Sequence, residues 1–397
     1  MLIGLVGKPN IGKSTFFKAC TLAEVEIANY PFATIKPNHG VGYVKVPCAE
    51  REYGVKCNPR VGYCLNGNRF VPIDLLDVAG LVPGAYKGLG CGNQFLDDLN
   101  QADVLIHVVD IAGTTNDKGE PVDAGSYDPL NDIRFLDNEL DMWYLRLMRK
   151  VWEKAAKLQN QENTQVAKVL HKQFSGLGAS EDMIKGILSD MRLMETKMIK
   201  WSDEQIKDFS QNLRKLTKPM IIAANKIDIA GAKENLEKAK KEFPDLTIAG
   251  CSAESELALK EAAKHGLVDY IPGEADFSVK DESKLSEKQK KALGFIKENM
   301  LDKLGSTGVQ QVVNHAVFDV LKYIAVFPGG VHKLEDKDGR VLPDCFLIPE
   351  GSTALDFAYR VHTDLGKKFI KAMDVKTKLA VGKEHVLKNL DIVEIIT

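Results

Sequence analysis

The chain has 397 residues, with 53 Lys and Arg against 55 Asp and Glu and a formal net charge of −2. Its 44% hydrophobic and 27% charged residues exclude a wholly disordered chain, and the charge balance gives no global pull toward nucleic acid. No apolar run reaches the ~18 residues of a membrane span, and the length allows about two to three domains.

Met1–Val6 is apolar without a basic lead or a cleavage site, so it reads as a strand and not as a signal peptide. Seven cysteines, an odd number, read as free thiols of a reducing cytoplasm. Cys48, Cys57 and Cys64 fall close together without a C-x-x-C pair. A loop with three thiols is preferred there over a zinc site, whose ligands usually sit at shorter spacings.

In chain order, Leu2–Val6, Val71–Asp77 and Asp103–Asp110 read as strands, with a helix from Lys13 to Thr21. Asp103–Asp110 is nearly continuously apolar, as for a strand covered on both faces. The alternation resumes at Pro219–Asn225 and Leu246–Ala253, with helical patterns at 232–242 and 255–264. A mostly parallel sheet with helices on both faces follows, split into 1–116 and 217–275.

Between the halves, Ile133, Leu136, Leu140, Trp143, Leu147, Val151 and Leu158, with Ala155 filling the one longer gap, place one apolar stripe on a long helix. Further helical patterns follow, the last opened by a capping box at Ser202 and Gln205. Residues 117–216 therefore read as an α-helical insertion, an antiparallel hairpin. It has a mild excess of basic over acidic residues, which suits a solvated helix face and leaves an RNA-facing one open. Residues 276–323 read as a helical linker broken near Gly305–Gly308, and 324–397 as a small α+β module.

Gly7-Lys8-Pro9-Asn10-Ile11-Gly12-Lys13-Ser14 matches G-x-x-x-x-G-K-[ST], with a strand before it and a helix after it. Glycines let successive N–H groups face a phosphate, and the helix N-terminus adds partial positive charge. Gly7, Asn10, Ile11, Gly12, Lys13, Ser14 and Thr15 form the expected phosphate-binding set, with Ser14 on Mg²⁺. Asp77-Val78-Ala79-Gly80 matches D-x-x-G; Asp77 would hold Mg²⁺ and the Gly80 N–H would sense the γ-phosphate. Asn225-Lys226-Ile227-Asp228 matches N-K-x-D. The Asp228 carboxylate can accept both N1–H and N2–H₂ of guanine, a donor pair that adenine lacks. Asn225 would brace the loops and contact the base edge, the Lys226 stem would lie over the ring, and Ser252-Ala253 would bring an N–H to guanine O6.

With these motifs in order, the chain resembles the Obg family of P-loop GTPases, and within it the YchF-like proteins of archaeal type. GKPNIGKSTFF, NYPFATIKPNHG, DVAGLVPGAYKGLGCGNQFLDDL and QADVLIHVVD carry the likeness. The resemblance implies a Ras-like fold. It also implies that Thr34 is the switch threonine, which binds Mg²⁺ and gives its carbonyl to the attacking water. Residues 324–397 resemble a TGS domain through Val326-Phe327-Pro328, Leu355–Tyr359, Val361–Gly366 and Asp391–Ile395. This implies a ribosome or RNA partner, reached through the TGS domain and the helical insertion. Lys367, Lys368, Lys371, Lys376 and Lys378 cluster around Phe369, as an RNA face or as a solvated lysine face.

Two departures qualify the likeness. YchF-like proteins of bacteria and eukaryotes usually lack N-K-x-D and favour ATP, whereas Asn225, Lys226 and Asp228 argue for GTP. Leu81 follows D-x-x-G where Ras-type GTPases place a water-orienting glutamine. Lys13, Thr34 and Gly80 are left to support catalysis, and slow intrinsic turnover is expected. Asn10 stands equally as a K⁺ ligand near the phosphates or as a turn residue. The expected function is a Mg²⁺-dependent, cytoplasmic GTP/GDP switch without membrane contact. The alternatives are a nucleotide-gated adaptor with incidental hydrolysis, and an ATPase.

Overall fold

The computed structural model describes residues 1–22, 38–78 and 99–397. The chain divides into one unit of Met1–Lys13 with Leu76–Ile248, and a second of Ser14–Leu75 with Ala249–Thr397.

In the first unit, strand Val104–Asp110 lies between Leu2–Val6 and Met220–Asn225, all three parallel. Leu5 faces Ile106, and Ile106 faces Ile221. Every residue of Val104–Asp110 and of Met220–Asn225 is buried, which explains their unbroken apolar runs. Parallel strands place their C-terminal ends together, so Val6, Asp110 and Asn225 deliver their following loops to one edge.

The helical insertion is built on a 33-residue helix, Leu130–Glu162. Helix Asp203–Thr217 returns along it, with Trp152 against Trp201 (ring centroids 5.1 Å apart) and Arg214 bonded to Asp137 at 2.6 Å. The expected stripe holds through Ile133, Leu136, Leu140 and Trp143, all buried. Beyond Trp143 the expected Ala155 is buried, but three positions shift by one, from Leu147, Val151 and Leu158 to Met148, Trp152 and Gln159, and Leu158 is exposed. The two tryptophans, their rings tilted by 48°, set which face turns inward, and their large apolar surfaces outweigh Leu158. The capping box at Ser202 and Gln205 forms as expected. Among the described residues, no helix is long and apolar enough to cross a membrane.

In the second unit, strands Tyr63–Leu65 and Asn68–Asp77 form an antiparallel hairpin. Its turn, Asn66-Gly67, has positive φ at both residues, matching the twist of a two-residue hairpin. Helix Ala253–Lys264 is anchored by fully buried Glu256, which accepts from Tyr270 at 2.7 Å and from Thr307. Lys260, 3.6 Å from Glu256, donates to the Ala19 carbonyl at 2.7 Å. The linker helix Glu287–Ile296 continues as a π-helical turn and, after Gly305–Gly308, resumes at Val309–His315.

The C-terminal module is a five-stranded sheet ordered Phe346–Pro349, Tyr323–Pro328, Ile392–Ile396, Lys371–Asp374, Leu379–Val381. Helix Ala354–Val361 packs Phe357 onto a core of Ile324, Val326, Ile348 and Val393. Strand Lys371–Asp374 was not expected: it buries only Ala372, so it carries almost no apolar signal. Phe369 is packed against this core and therefore is not a free stacking ring among the lysines. Lys376 of that cluster pairs with Glu52 at 3.2 Å.

Candidate functional site

In the first unit, the loop after strand Leu2–Val6 has φ of +150° at Gly7, +62° at Asn10 and +90° at Gly12. A Cβ on Gly12 would run into the Asn225 amide, and one on Gly7 would meet Ile11 and the Val108 carbonyl. Both glycines are therefore required by close approach as well as by backbone angle. Alternating positive and negative φ turns successive N–H groups toward one concavity, the form that suits a phosphate. Lys13 follows, and its ammonium contacts the Asp77 carboxylate at the end of strand Asn68–Asp77. A phosphate-seeking cation and a hard oxygen donor thus meet at one point. That donor chemistry fits Mg²⁺, which prefers carboxylate, hydroxyl and phosphate oxygens.

Asn225 is buried and donates its amide to the Ile11 carbonyl at 2.9 Å. The N-K-x-D motif is thereby tied to the phosphate loop. Lys226, with φ +62°, gives its ammonium to Asp110 at 2.9 Å and to Thr114 at 2.9 Å, and approaches the Asn10 carbonyl at 3.4 Å. Its aliphatic stem is fixed beside the same loop. Asp228 is half-buried and makes no hydrogen bond or ion pair among the described residues, so both oxygens are open to donors. Asn10 donates its amide to the Gly119 carbonyl at 2.9 Å. Of its side-chain atoms, only the carbonyl oxygen is left for a cation.

In the sequence, Asp110 is the last residue of an apolar strand. It is almost fully buried and accepts from Thr114, from Thr115 at 3.0 Å and from Lys226. Its place at a strand's C-terminal end, opposite Asn225 in register, is the signal that could have found it. Lys8, the variable residue after Gly7, is also buried. It pairs with Asp132 at 2.7 Å, donates to the Thr115 carbonyl at 3.0 Å and lies 4.2 Å from the Tyr127 ring centre. Burial raises the Asp132 carboxyl above its ordinary range, against the lowering effect of Lys8.

In the second unit, Ser14 is exposed and Thr15 half-buried in the first turn of helix Lys13–Thr21. Ser252 caps helix Ala253–Lys264 through Ser255, and Ala253 is that helix's first residue. Thr34, Gly80 and Leu81 lie outside the described residues. The same unit holds a group that sequence spacing set aside: Cys48, Glu50, Cys57 and Cys64 converge.

Three family profiles match the chain: a 50S ribosome-binding GTPase over residues 2–141, an Obg-like GTPase YGR210-like, G4 motif-containing domain over 223–330, and a TGS domain over 333–397. An uncharacterized GTP-binding protein of Methanocaldococcus jannaschii is 50% identical over 397 residues, covering 100% of this chain and 99% of that protein. The chain belongs to the YchF-like Obg GTPases. Its fold is accordingly a Ras-like α/β domain with a helical insertion and a TGS domain. The ribosome-binding ATPase YchF of Bacillus subtilis is 27% identical, over 98% of this chain and 97% of that one. A crystal structure of a GTP binding protein from Pyrococcus horikoshii is 38% identical, with a TM-score of 0.79 and complete coverage of both chains.

Proposed function

We propose that the chain binds GTP and GDP, hydrolyses GTP slowly with Mg²⁺, and uses the nucleotide to gate contact with the ribosome or a translation-linked RNA. The observation that carries this reading is the bond from Asn225 to the Ile11 carbonyl. It joins the residues that would read the base to the loop that would hold the phosphates. Asp228, with both oxygens open, would accept the two guanine donors. Adenine would leave that carboxylate facing no donor pair, a penalty of a few kcal/mol for a desolvated site.

Bound Mg²⁺ supplies charge neutralisation at the β- and γ-phosphates. Ser14, Thr34 and Asp77 would hold it, and Lys13 would turn from Asp77 to phosphate oxygens. The Thr34 carbonyl would orient the water and the Gly80 N–H would hold the γ-phosphate. With Leu81 in the glutamine position, no side chain there can align water, so catalysis falls to positioning and backbone electrostatics. Asn10 would accept K⁺ through its carbonyl oxygen. The TGS domain and the ribosome-binding activity named for the Bacillus subtilis relative support the macromolecular partner.

Asp228→Asn tests the base pocket. It replaces an acceptor with a donor, so guanine affinity should fall about a hundredfold, and xanthine nucleotides, with a carbonyl in place of the 2-amino group, should gain. Unchanged GTP preference in this variant would overturn the assignment. The ATPase names of more distant relatives favour a second reading, adenine recognition, which predicts ATP binding insensitive to Asp228.

A further inference from the structure

We propose that Cys48, Glu50, Cys57 and Cys64 form a closed tetrahedral site for a zinc-class divalent cation, which staples the segment between strands His39–Pro47 and Tyr63–Leu65. Cys48 directly follows the first strand, Glu50 opens the short helix Glu50–Tyr53, Cys57 lies in the loop beyond it, and Cys64 is the middle residue of the second strand. Their ligand atoms all lie within 4.8 Å of one another. The Sγ atoms of Cys48 and Cys57 are 3.7 Å apart, and Cys64 Sγ is 3.3 Å from Glu50 Oε1. Zinc bonds of ~2.3 Å to sulfur and ~2.0 Å to oxygen give tetrahedral edges of ~3.8 Å between sulfurs and ~3.5 Å between sulfur and oxygen. These two edges match within a few tenths of an ångström, and the other pairs lie within 4.8 Å.

The second Glu50 oxygen accepts the Cys57 backbone N–H at 2.9 Å. That bond orients the carboxylate and leaves Oε1 facing the sulfurs, the arrangement expected around a ligating group. Cys48 and Cys57 are buried, and Glu50 and Cys64 half-buried, so the site is enclosed but reachable. Thiols are weak hydrogen-bond donors and acceptors, so three of them on one carboxylate satisfy each other poorly.

Arg69 provides an independent observation. Its side chain is fully buried, and one nitrogen donates to the Leu342 carbonyl. Its Nε and Nη1 have no hydrogen-bond partner among the described residues. Arg69 stands opposite Cys64 in the register of the hairpin. A buried cation without a counter-charge is costly. Three thiolates and a carboxylate around one dication carry two excess negative charges, which Arg69 would partly balance.

Three sulfurs and one oxygen exclude the hard cations Mg²⁺ and Ca²⁺, and ligand atoms all within 4.8 Å of one another suit a single ion. Four protein ligands leave no open position, so the role is structural. The metal would fix the segment whose Asn58 and Arg60 N–H groups bond the Val341 and Pro343 carbonyls, each at 2.8 Å, and whose Arg60 side chain pairs with Asp344.

The test uses the full-length chain, purified without chelator from zinc-supplemented cells, with its metal content measured before and after saturation with Mg–GDP. Retention of about one zinc per chain in both states is expected. After chelation and reloading, Co²⁺ should give thiolate charge-transfer absorption and tetrahedral d–d bands. Glu50→Gln should weaken zinc at least tenfold in chelator competition with an unchanged far-UV circular dichroism spectrum. Cys57→Ser and Cys64→Ser should lose tight binding. No metal uptake by a chain whose thiols are all titratable would overturn the proposal. So would zinc held equally by the serine variants, zinc displaced by Mg–GDP, or a metal-free chain with a Cys48–Cys57 disulfide.

Discussion

The Gly7–Lys13 loop holds its groups by backbone conformation, whereas the Cys48–Cys64 segment brings its groups together through side chains. In the loop, positive φ at Gly7, Asn10 and Gly12 aims the main chain, and Asn225 locks it through a carbonyl. In the thiol segment, a strand end, a helix start, a loop and a second strand each lend one atom. A backbone-built site demands particular residues at fixed places, so it is written as a contiguous motif. A side-chain site demands only that four points converge in space, and many spacings achieve that.

Gly12→Ala should have the largest effect on that contrast. Its Cβ meets the Asn225 amide at a φ that alanine rarely adopts, so nucleotide affinity should fall at least a hundredfold, about 2.7 kcal/mol. Titration with a fluorescent GDP analogue reads this directly, and retained affinity would mean the loop is not built by its backbone. Glu256→Ala removes the acceptor of a buried side-chain network and should cost about 3 kcal/mol in urea unfolding. A loss under about 1 kcal/mol would show that Tyr270 and Thr307 find other partners.

His107 sharpens the comparison through pH. It lies inside the buried parallel strand, where desolvation, and then the Lys8 charge, lower its pKa from 6.5 to about 3. The folded chain therefore keeps it neutral while the unfolded chain takes up a proton. Stability should fall as pH drops from 6.5 toward about 3, by up to ~1.4 kcal/mol per pH unit from this group. His107→Leu should flatten that part of the acid limb, and an unaltered pH slope would refute the linkage. The smallest effect is Ser202→Ala, which removes one capping box and should cost about 1 kcal/mol without changing nucleotide affinity.

Much of the fold was legible because its signals are local. The continuous apolar runs at Val104–Asp110 and Met220–Asn225, the Ser202 cap and the Gly305–Gly308 break each act within a few residues. The second half of the long helix was misread because its inward face is chosen by Trp201, distant in sequence. Strand Lys371–Asp374 was missed because it buries one small side chain and is specified by its neighbours. In the site, Asn225 and Gly12 were readable from their motifs, whereas Asp110 was hidden in an apolar run that gave it no separate signal. Glu50 could not emerge from counting cysteines, since an ordinary acidic side chain supplies the fourth atom.

The most direct measurement is competition of unlabelled GTP, GDP and ATP against a fluorescent GDP analogue on the intact chain in Mg²⁺, with K⁺ or Na⁺ as the monovalent ion. The Asn225–Asp228 account predicts guanine nucleotides preferred over ATP by a hundredfold or more, about 2.7 kcal/mol. Equal or tighter binding of ATP would contradict it and place recognition of the base outside Asp228.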